Sequence, residues 1–286
     1  MASMIDIKRR KVGIQSTQQI TKAMKLVSTV KLQKAKARAE SNNPYFTMLY
    51  DTMCSILVRS KMVDHPYLKS NGSKRKAVIS ITSNRGLAGG YNSNVVKIIE
   101  KADFSKADVD VYTVGRKGYE SLARRQYKIA KDYSEVMQAP LYADAIHIGQ
   151  EVLASYEKGE VGEIYLAYTH FKNTVSQEAK LVKILPIERG EIITEESQDY
   201  NTLMNFEPNE EEALNVIIPK YMNNILYGAF IEAIASENGA RMQAMDSATK
   251  NAEDMIADLT LKYNRARQGS ITQELTEIIA GAESIS

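Results

Sequence analysis

Ser83-Asn84-Arg85-Gly86-Leu87-Ala88-Gly89-Gly90-Tyr91 is the segment whose residue types come closest to a ligand cradle. It follows a β-branched run and precedes a helical pattern, and backbone N–H groups at a helix start can hold a phosphate. No Lys-Ser/Thr pair follows the glycines, and the spacing is not G-x-G-x-x-G, so neither well-defined nucleotide motif is present. Glycines here serve equally well for a tight turn or close helix–strand packing. Other reactive side chains are sparse. Cys54 is the single cysteine, which excludes an internal disulfide, and it has no neighbours at metal-ligand spacing. His65, His147 and His170 lie far apart, unlike the short spacings of metal-ligand sets. No Ser–His–Asp or Cys–His set is suggested.

Charge is distributed unevenly, although the net value is only +2. Lys8, Arg9, Arg10, Lys11, Lys22, Lys25, Lys31, Lys34, Lys36 and Arg38 face only Asp6 and Glu40 in the first forty residues. From Glu188 to Glu212 the sign reverses, with Arg189 the only cation. A basic helical segment serves as a solvated face, a nucleic-acid surface or a site for an acidic protein. The N-terminal segment lacks the interleaved aromatics of a single-strand binder and any known duplex-binding module. A protein partner suits it better. No apolar run approaches the ~18 residues needed to span a bilayer, and the start does not read as a secretion signal. The expectation is a cytoplasmic chain without membrane insertion of its own.

The elements that would position these residues fall into three segments: 1–62, 63–207 and 208–286. From Ile5 to about Arg59 the pattern is helical, with Ile20, Ala23, Val27 and Val30 forming an apolar stripe. Pro44 predicts a kink or short break. The middle alternates strand and helix. Strands are expected over 77–82, 109–114, 126–130, 163–171 and 179–185, and helices around 95–99, 119–125 and 141–156, which together predict a largely parallel sheet of βαβ units. Its core is expected from residues 77–186. The acidic stretch 188–212 reads as a linker or irregular surface segment.

Beyond Pro208 the chain returns to helix. Met242, Met245, Thr249, Ala252, Ile256, Leu259, Tyr263 and Ala266 step alternately by three and four, a heptad seam. Pro219 fits only near a helix start or at a kink. A helix from there to about Glu283 would be about 100 Å long at 1.5 Å per residue, too long for a compact domain of this size. The α/β fold class is therefore expected as a long antiparallel coiled coil of the N- and C-terminal helices plus a central Rossmann-like α/β domain.

At this point the residues resemble a known family. Ser236-Glu237, Ala240-Arg241-Met242-Gln243-Ala244-Met245, Ala248-Thr249, Asn251-Ala252 and Tyr263-Asn264-Arg265-Ala266-Arg267-Gln268 are similar to the C-terminal helix of F-type ATP synthase gamma subunits of the bacterial type. Ile271 to Ser284, reading ITQELTEIIAGAES, looks like the signature of that family. Ile7-Lys8-Arg9-Arg10 and Thr17 to Val27 resemble its first helix, and Arg85-Gly86-Leu87 with Gly89-Gly90 its central domain. Ala88 stands where many relatives carry Cys and Asn84 where many carry Asp, and the cysteine-bearing insert of the chloroplast form is absent.

The resemblance implies a central rotor shaft that couples ion flow through a membrane ring to ATP synthesis or hydrolysis on the beta subunits. It implies no cofactor, no nucleotide in the glycine loop and no catalytic residue. The implied partners are alpha and beta subunits of a catalytic hexamer, the epsilon subunit and the membrane c-ring, with no nucleic acid. The implied location is peripheral, on the cytoplasmic face of the cell membrane. Family contacts to the beta-subunit loops carry over to Arg9, Arg10, Met24, Arg241, Arg267, Gln268, Thr272 and Glu274. The residues without the resemblance leave two alternatives, an α/β nucleotide-binding enzyme with helical oligomerisation arms and a basic coiled-coil scaffold.

Overall fold

The computed structural model describes residues 4–59, 65–187 and 209–283. Of the linker or irregular segment expected over 188–212, residues 188–208 lie outside them. The elements are α1 (Met4–Arg59), β1 (Lys76–Ile81), α2 (Tyr91–Lys101), β2 (Val109–Val114), α3 (Arg116–Arg124), β3 (Lys128–Asp132), α4 (Tyr142–Glu157), β4 (Glu163–Phe171), β5 (Gln177–Leu185) and α5 (Glu210–Glu283). Short 3-10 turns occur at Pro66–Leu68, Lys106–Asp108 and Ser134–Gln138. Chain contacts divide the protein into two compact units, one of Met1–Ser28 with Arg241–Ser286 and one of Thr29–Ala240.

In the second unit five strands lie in the order β3-β2-β1-β4-β5. β1 pairs in parallel with β2 and β4, and β2 with β3, as the βαβ pattern requires. β5 departs from that pattern because a tight turn returns it antiparallel to β4. The period-two alternation sorts side chains to two faces. Ala77, Ile79, Ile81, Tyr112, Val114, Ile164 and Leu166 share one cluster with Met53, Leu57, Ile148, Leu214, Met222 and Phe230. Val78, Val109, Val111 and Ala167 share the other with Val95, Ile99 and Leu122.

One face is thus covered by α4 and by parts of both long helices, and the other by α2 and α3. The expectation that residues 77–186 supply their own core is corrected here. Phe230, Met53 and Leu57 are at most 1% exposed within it, and each fully buried side chain of this size is worth about 1.5–3 kcal/mol.

Gly115 shows why one glycine is needed between β2 and α3. Its φ is +123°, and a Cβ there would stand 2.1 Å from the Thr82 carbonyl oxygen. Thr82 uses the space, its Oγ1 accepting from Gly118 N at 2.8 Å and donating to Gly115 O at 3.0 Å.

Two further expectations change. α1 runs as one helix from Met4 to Arg59, so of the kink or break predicted at Pro44 the break does not occur. Glu210, Glu211 and Glu212 belong to the first turn of α5 rather than to an irregular segment. Acidic side chains there complement the helix dipole, and Asn209 Oδ1 accepts from Glu212 N at 2.8 Å as a cap. The same helix continues through Pro219.

Candidate partner interface

The unit of Met1–Ser28 with Arg241–Ser286 is two helical segments whose contact is read from three side-chain pairs. Gln18 Nε2 donates to Glu253 Oε1 at 3.1 Å, Thr21 Oγ1 meets Thr249 Oγ1 at 2.8 Å, and Lys25 Nζ donates to Asp246 Oδ1 at 2.6 Å. The partner number falls as the first rises, so the segments run antiparallel. Lys250 adds a second bond to Asp246 at 3.0 Å. Hydrogen bonds from Lys25 and then Lys250 hold the Asp246 carboxyl below its ordinary range.

All eight heptad positions of α5, from Met242 to Ala266, are buried or half-buried, whereas most of the residues between them are exposed. On α1 within this unit the half-buried or buried positions are Met4, Ile7, Lys11, Ile14, Gln18, Thr21, Met24, Lys25 and Ser28, which apart from Met24 again step by three and four. The apolar stripe expected on this helix is therefore not the seam. Ile20 and Val27 are each 57% exposed, and Ala23 is exposed with them. The physical reason is a division of labour between faces. Around residues 18–25 the contact is made by Gln18, Thr21 and Lys25, whose polar groups match Glu253, Thr249 and Asp246, and this leaves Ile20, Ala23 and Val27 turned outward.

Extended along the chain, the same register puts Met4 opposite a residue near 267. Beyond that point α5 has no facing turn of α1 among the described residues, and positions 271–282 are all exposed. Ile271, Leu275, Ile278 and Ile279 lie on this stretch with 50–67% of their surface exposed. Apolar side chains grouped in this way mark a surface that another molecule covers.

All eight partner-contact residues expected from the sequence fall in this one unit. Arg9, Arg10, Arg267, Gln268, Thr272 and Glu274 are exposed, while Met24 and Arg241 are half-buried. Thr272 offers its carbonyl to Thr276 Oγ1 at 2.9 Å, and Glu274 accepts from Ser270 at 3.5 Å. Sequence reasoning missed the polar rungs at Gln18, Thr21 and Lys25. Their heptad spacing was the available signal, hidden because the helix carried a more apolar stripe elsewhere.

The glycine loop belongs to the other unit. Ser83 N donates to Asn92 Oδ1 at 2.9 Å, Ser83 Oγ to Arg85 O at 2.7 Å, and Asn84 Nδ2 to Ser134 O at 2.7 Å. Arg116 N donates to Asn84 Oδ1 at 2.9 Å. These donors are spent on the loop and its neighbours, joining the ends of β1 and β3 to the start of α3.

A family model described as ATP synthase matches residues 3–285. An ATP synthase gamma chain of Lachnoclostridium phytofermentans is 66% identical over the whole of both chains. This chain belongs to the ATP synthase gamma-chain family. Its role is that of the family, the rotor shaft in the central stalk of an F-type ATP synthase.

Another family member, from Acetobacterium woodii and described as the sodium ion specific gamma chain, is 39% identical over 98% of each chain. Among solved structures, a chain of the Euglena gracilis mitochondrial ATP synthase aligns with a TM-score of 0.71 at 18% identity, covering 99% of this chain and 94% of that one. A chain from the central stalk and c-ring of the Tetrahymena thermophila mitochondrial enzyme aligns with a TM-score of 0.59 at 24% identity, covering 80% and 99%. At those identities the likeness is one of fold.

Proposed function

We infer that this gamma-family chain transmits torque by differential contact, with its two-helix unit held in a sleeve of alternating alpha and beta subunits. The observation that carries this reading is the outward placement of Ile20, Val27 and the apolar residues of 271–279. A sleeve that covers them without gripping them permanently lets the shaft turn. The shaft is asymmetric, because Arg9, Arg10, Met24, Arg241, Arg267, Gln268, Thr272 and Glu274 are not repeated three times around it. Each angle therefore presents different side chains to three similar sites and biases each toward a different conformation. In this reading catalysis stays on the beta subunits, and the gamma chain supplies no catalytic residue and no cofactor.

The unit carrying the sheet would be the foot, beside the epsilon subunit and the membrane c-ring, on the cytoplasmic face of the cell membrane. No described helix is long and apolar enough to cross a membrane, so attachment in this reading runs through the ring. The domain limits 1–62, 63–207 and 208–286 are proposed as the shaft–foot–shaft order. The test is co-purification from the native membrane with a tag on this chain. Alpha, beta and epsilon subunits in a fixed ratio support the proposal. Recovery of the chain without them overturns it.

A further inference from the structure

His65 is fully buried in the segment that leads from α1 to β1, and both of its ring nitrogens are engaged. Nδ1 lies 3.2 Å from Tyr67 N, and Nε2 lies 3.0 Å from Oδ1 of Asn215, in the second turn of α5. A backbone N–H can only donate, so Nδ1 is the bare acceptor and the ring proton sits on Nε2, which donates to Asn215. One neutral imidazole thus caps the 3-10 turn Pro66–Leu68 and ties it to the long C-terminal helix. Asn215 is itself exposed, so the far end of this tie reaches the protein surface.

The rest of the segment 65–69 is held by bonds that do not use an imidazole. Tyr67 O accepts from Ile187 N at 2.9 Å. Tyr156 Oη donates to Pro66 O at 3.2 Å and to Lys69 O at 2.9 Å, and Tyr67 Oη donates to Glu157. Burial pushes both tyrosine hydroxyls up, with the Glu157 bond adding to it at Tyr67, so both stay donors in mild acid. The Tyr67 ring stands 5.0 Å from the imidazole, centroid to centroid. α1 brings only apolar Met53 and Leu57 to the cluster that buries Tyr67, together with Leu214 and Ile218 of α5. Glu211 and Glu212 precede Asn215 by one turn on α5.

A proton added to Nδ1 would set a donor against a donor and leave a charge in a buried site. We propose that His65 is an acid-operated latch: protonation of Nδ1 frees the segment 65–69 from the first turns of α5 while the sheet stays folded. An opened imidazole takes up its proton below about pH 6.5, whereas the closed one is held neutral by its two bonds. Closure is therefore fully favoured at neutral pH and weakens as pH falls, with the opened form gaining about tenfold by pH 5.5. The latch lies wholly within the unit Thr29–Ala240 and does not depend on the torque reading.

The test is amide hydrogen exchange of the full-length chain at pH 7.5 and 5.5, read by mass spectrometry and corrected for the intrinsic exchange rate. Protection of peptides covering 65–69 and 210–218 should fall about tenfold between the two conditions, while β1 and β2 keep theirs. His65→Gln keeps a donor toward Asn215 but cannot titrate, and should abolish that fall. Glu157→Gln should leave it in place. An equal fall in His65→Gln overturns the proposal, as does no fall in the unaltered chain or one shared by β1 and β2. If His65→Gln fails to fold, nitrogen NMR of the histidine-labelled chain decides the matter. The buried ring should show its proton on Nε2 at pH 7.5, and a proton on Nδ1 at that pH overturns the latch.

Discussion

Thr21 and Thr249 stand hydroxyl to hydroxyl at 2.8 Å, and each is also within reach of a backbone carbonyl, Gln18 O at 3.0 Å and Met245 O at 2.8 Å. Two hydroxyl protons serve three contacts, so one hydroxyl donates to the other while that other donates to its own helix. The pair is a cross-helix rung that works only when both members are present. Thr249→Val should cost about 0.5–1.5 kcal/mol, the net worth of such a bond. Thr21→Val added to it should cost less than the two single changes together, because the bond is already gone. Denaturant unfolding of the four members of this cycle, followed by helical circular dichroism, measures the coupling. Strict additivity would show that the hydroxyls do not interact.

Gln268 and Thr272 lie one turn apart on α5 and are both exposed, Thr272 within the stretch 271–282 where every position is exposed. Residues so spaced can face one neighbour together. A net hydrogen bond is worth about 0.5–1.5 kcal/mol, and one to a charged group about 1.5–3 kcal/mol. Gln268→Ala with Thr272→Ala keeps good helix formers at both sites. The double variant should assemble normally yet lower ATP-driven ion pumping or ATP turnover several-fold. Both rates are to be measured in reconstituted vesicles beside the unaltered complex. Equal values on both counts remove these residues from coupling.

Asp110 makes the sheet-bearing unit sensitive to acid. Burial alone would raise its pKa, but hydrogen bonds from Lys128 and Arg75, with their charges, hold it below its ordinary value. The Arg75 Nε bond to Oδ2 is 3.1 Å and the Lys128 contact with Oδ1 is 2.8 Å. A depressed folded value contributes stability above the unfolded pKa of about 4, and that contribution fades as pH falls through the folded value. Asp110→Asn should therefore cost about 1–2 kcal/mol at neutral pH, reduced from the full worth of bonds to a charged group because the cations are partly solvated. The gap between the two proteins should close as pH drops below about 4. Melting curves across that range check it, and a gap independent of pH would rule the ion pairs out as its cause.

Phe230 is fully buried against the sheet, although it lies on the long C-terminal helix. Phe230→Ala should cost about 3–5 kcal/mol. By the same argument, a chain cut to residues 65–187 should lose cooperative unfolding, since it lacks Phe230, Met53, Leu57 and Leu214. Calorimetry of that fragment is the measurement. A sharp transition would mean that the strands and α2–α4 suffice as a core.

How much of this was legible depended on whether a signal was local. The β2 span 109–114, the β4 span 163–171 and the α5 heptads follow from periodicities of two and three-and-a-half, which neighbouring residues display without outside help. The long helices and the family signature at 271–284 were likewise written in adjacent residues. The polarity of β5 was not, because its alternation is the same in either direction and only pairing with β4 fixes it.

Nor could periodicity choose between two faces of α1. Ile20, Ala23, Val27 and Val30 form the more apolar stripe, yet Gln18, Thr21 and Lys25 meet α5, because hydroxyl, amide and charge matching to Thr249, Glu253 and Asp246 sets that contact. Those matches join residues more than two hundred positions apart. Sequence by itself determined which segments are helix or strand and which family they serve. Tertiary structure alone decided which faces are spent inside the molecule and which remain for other molecules to cover, since burial depends on what stands opposite a side chain.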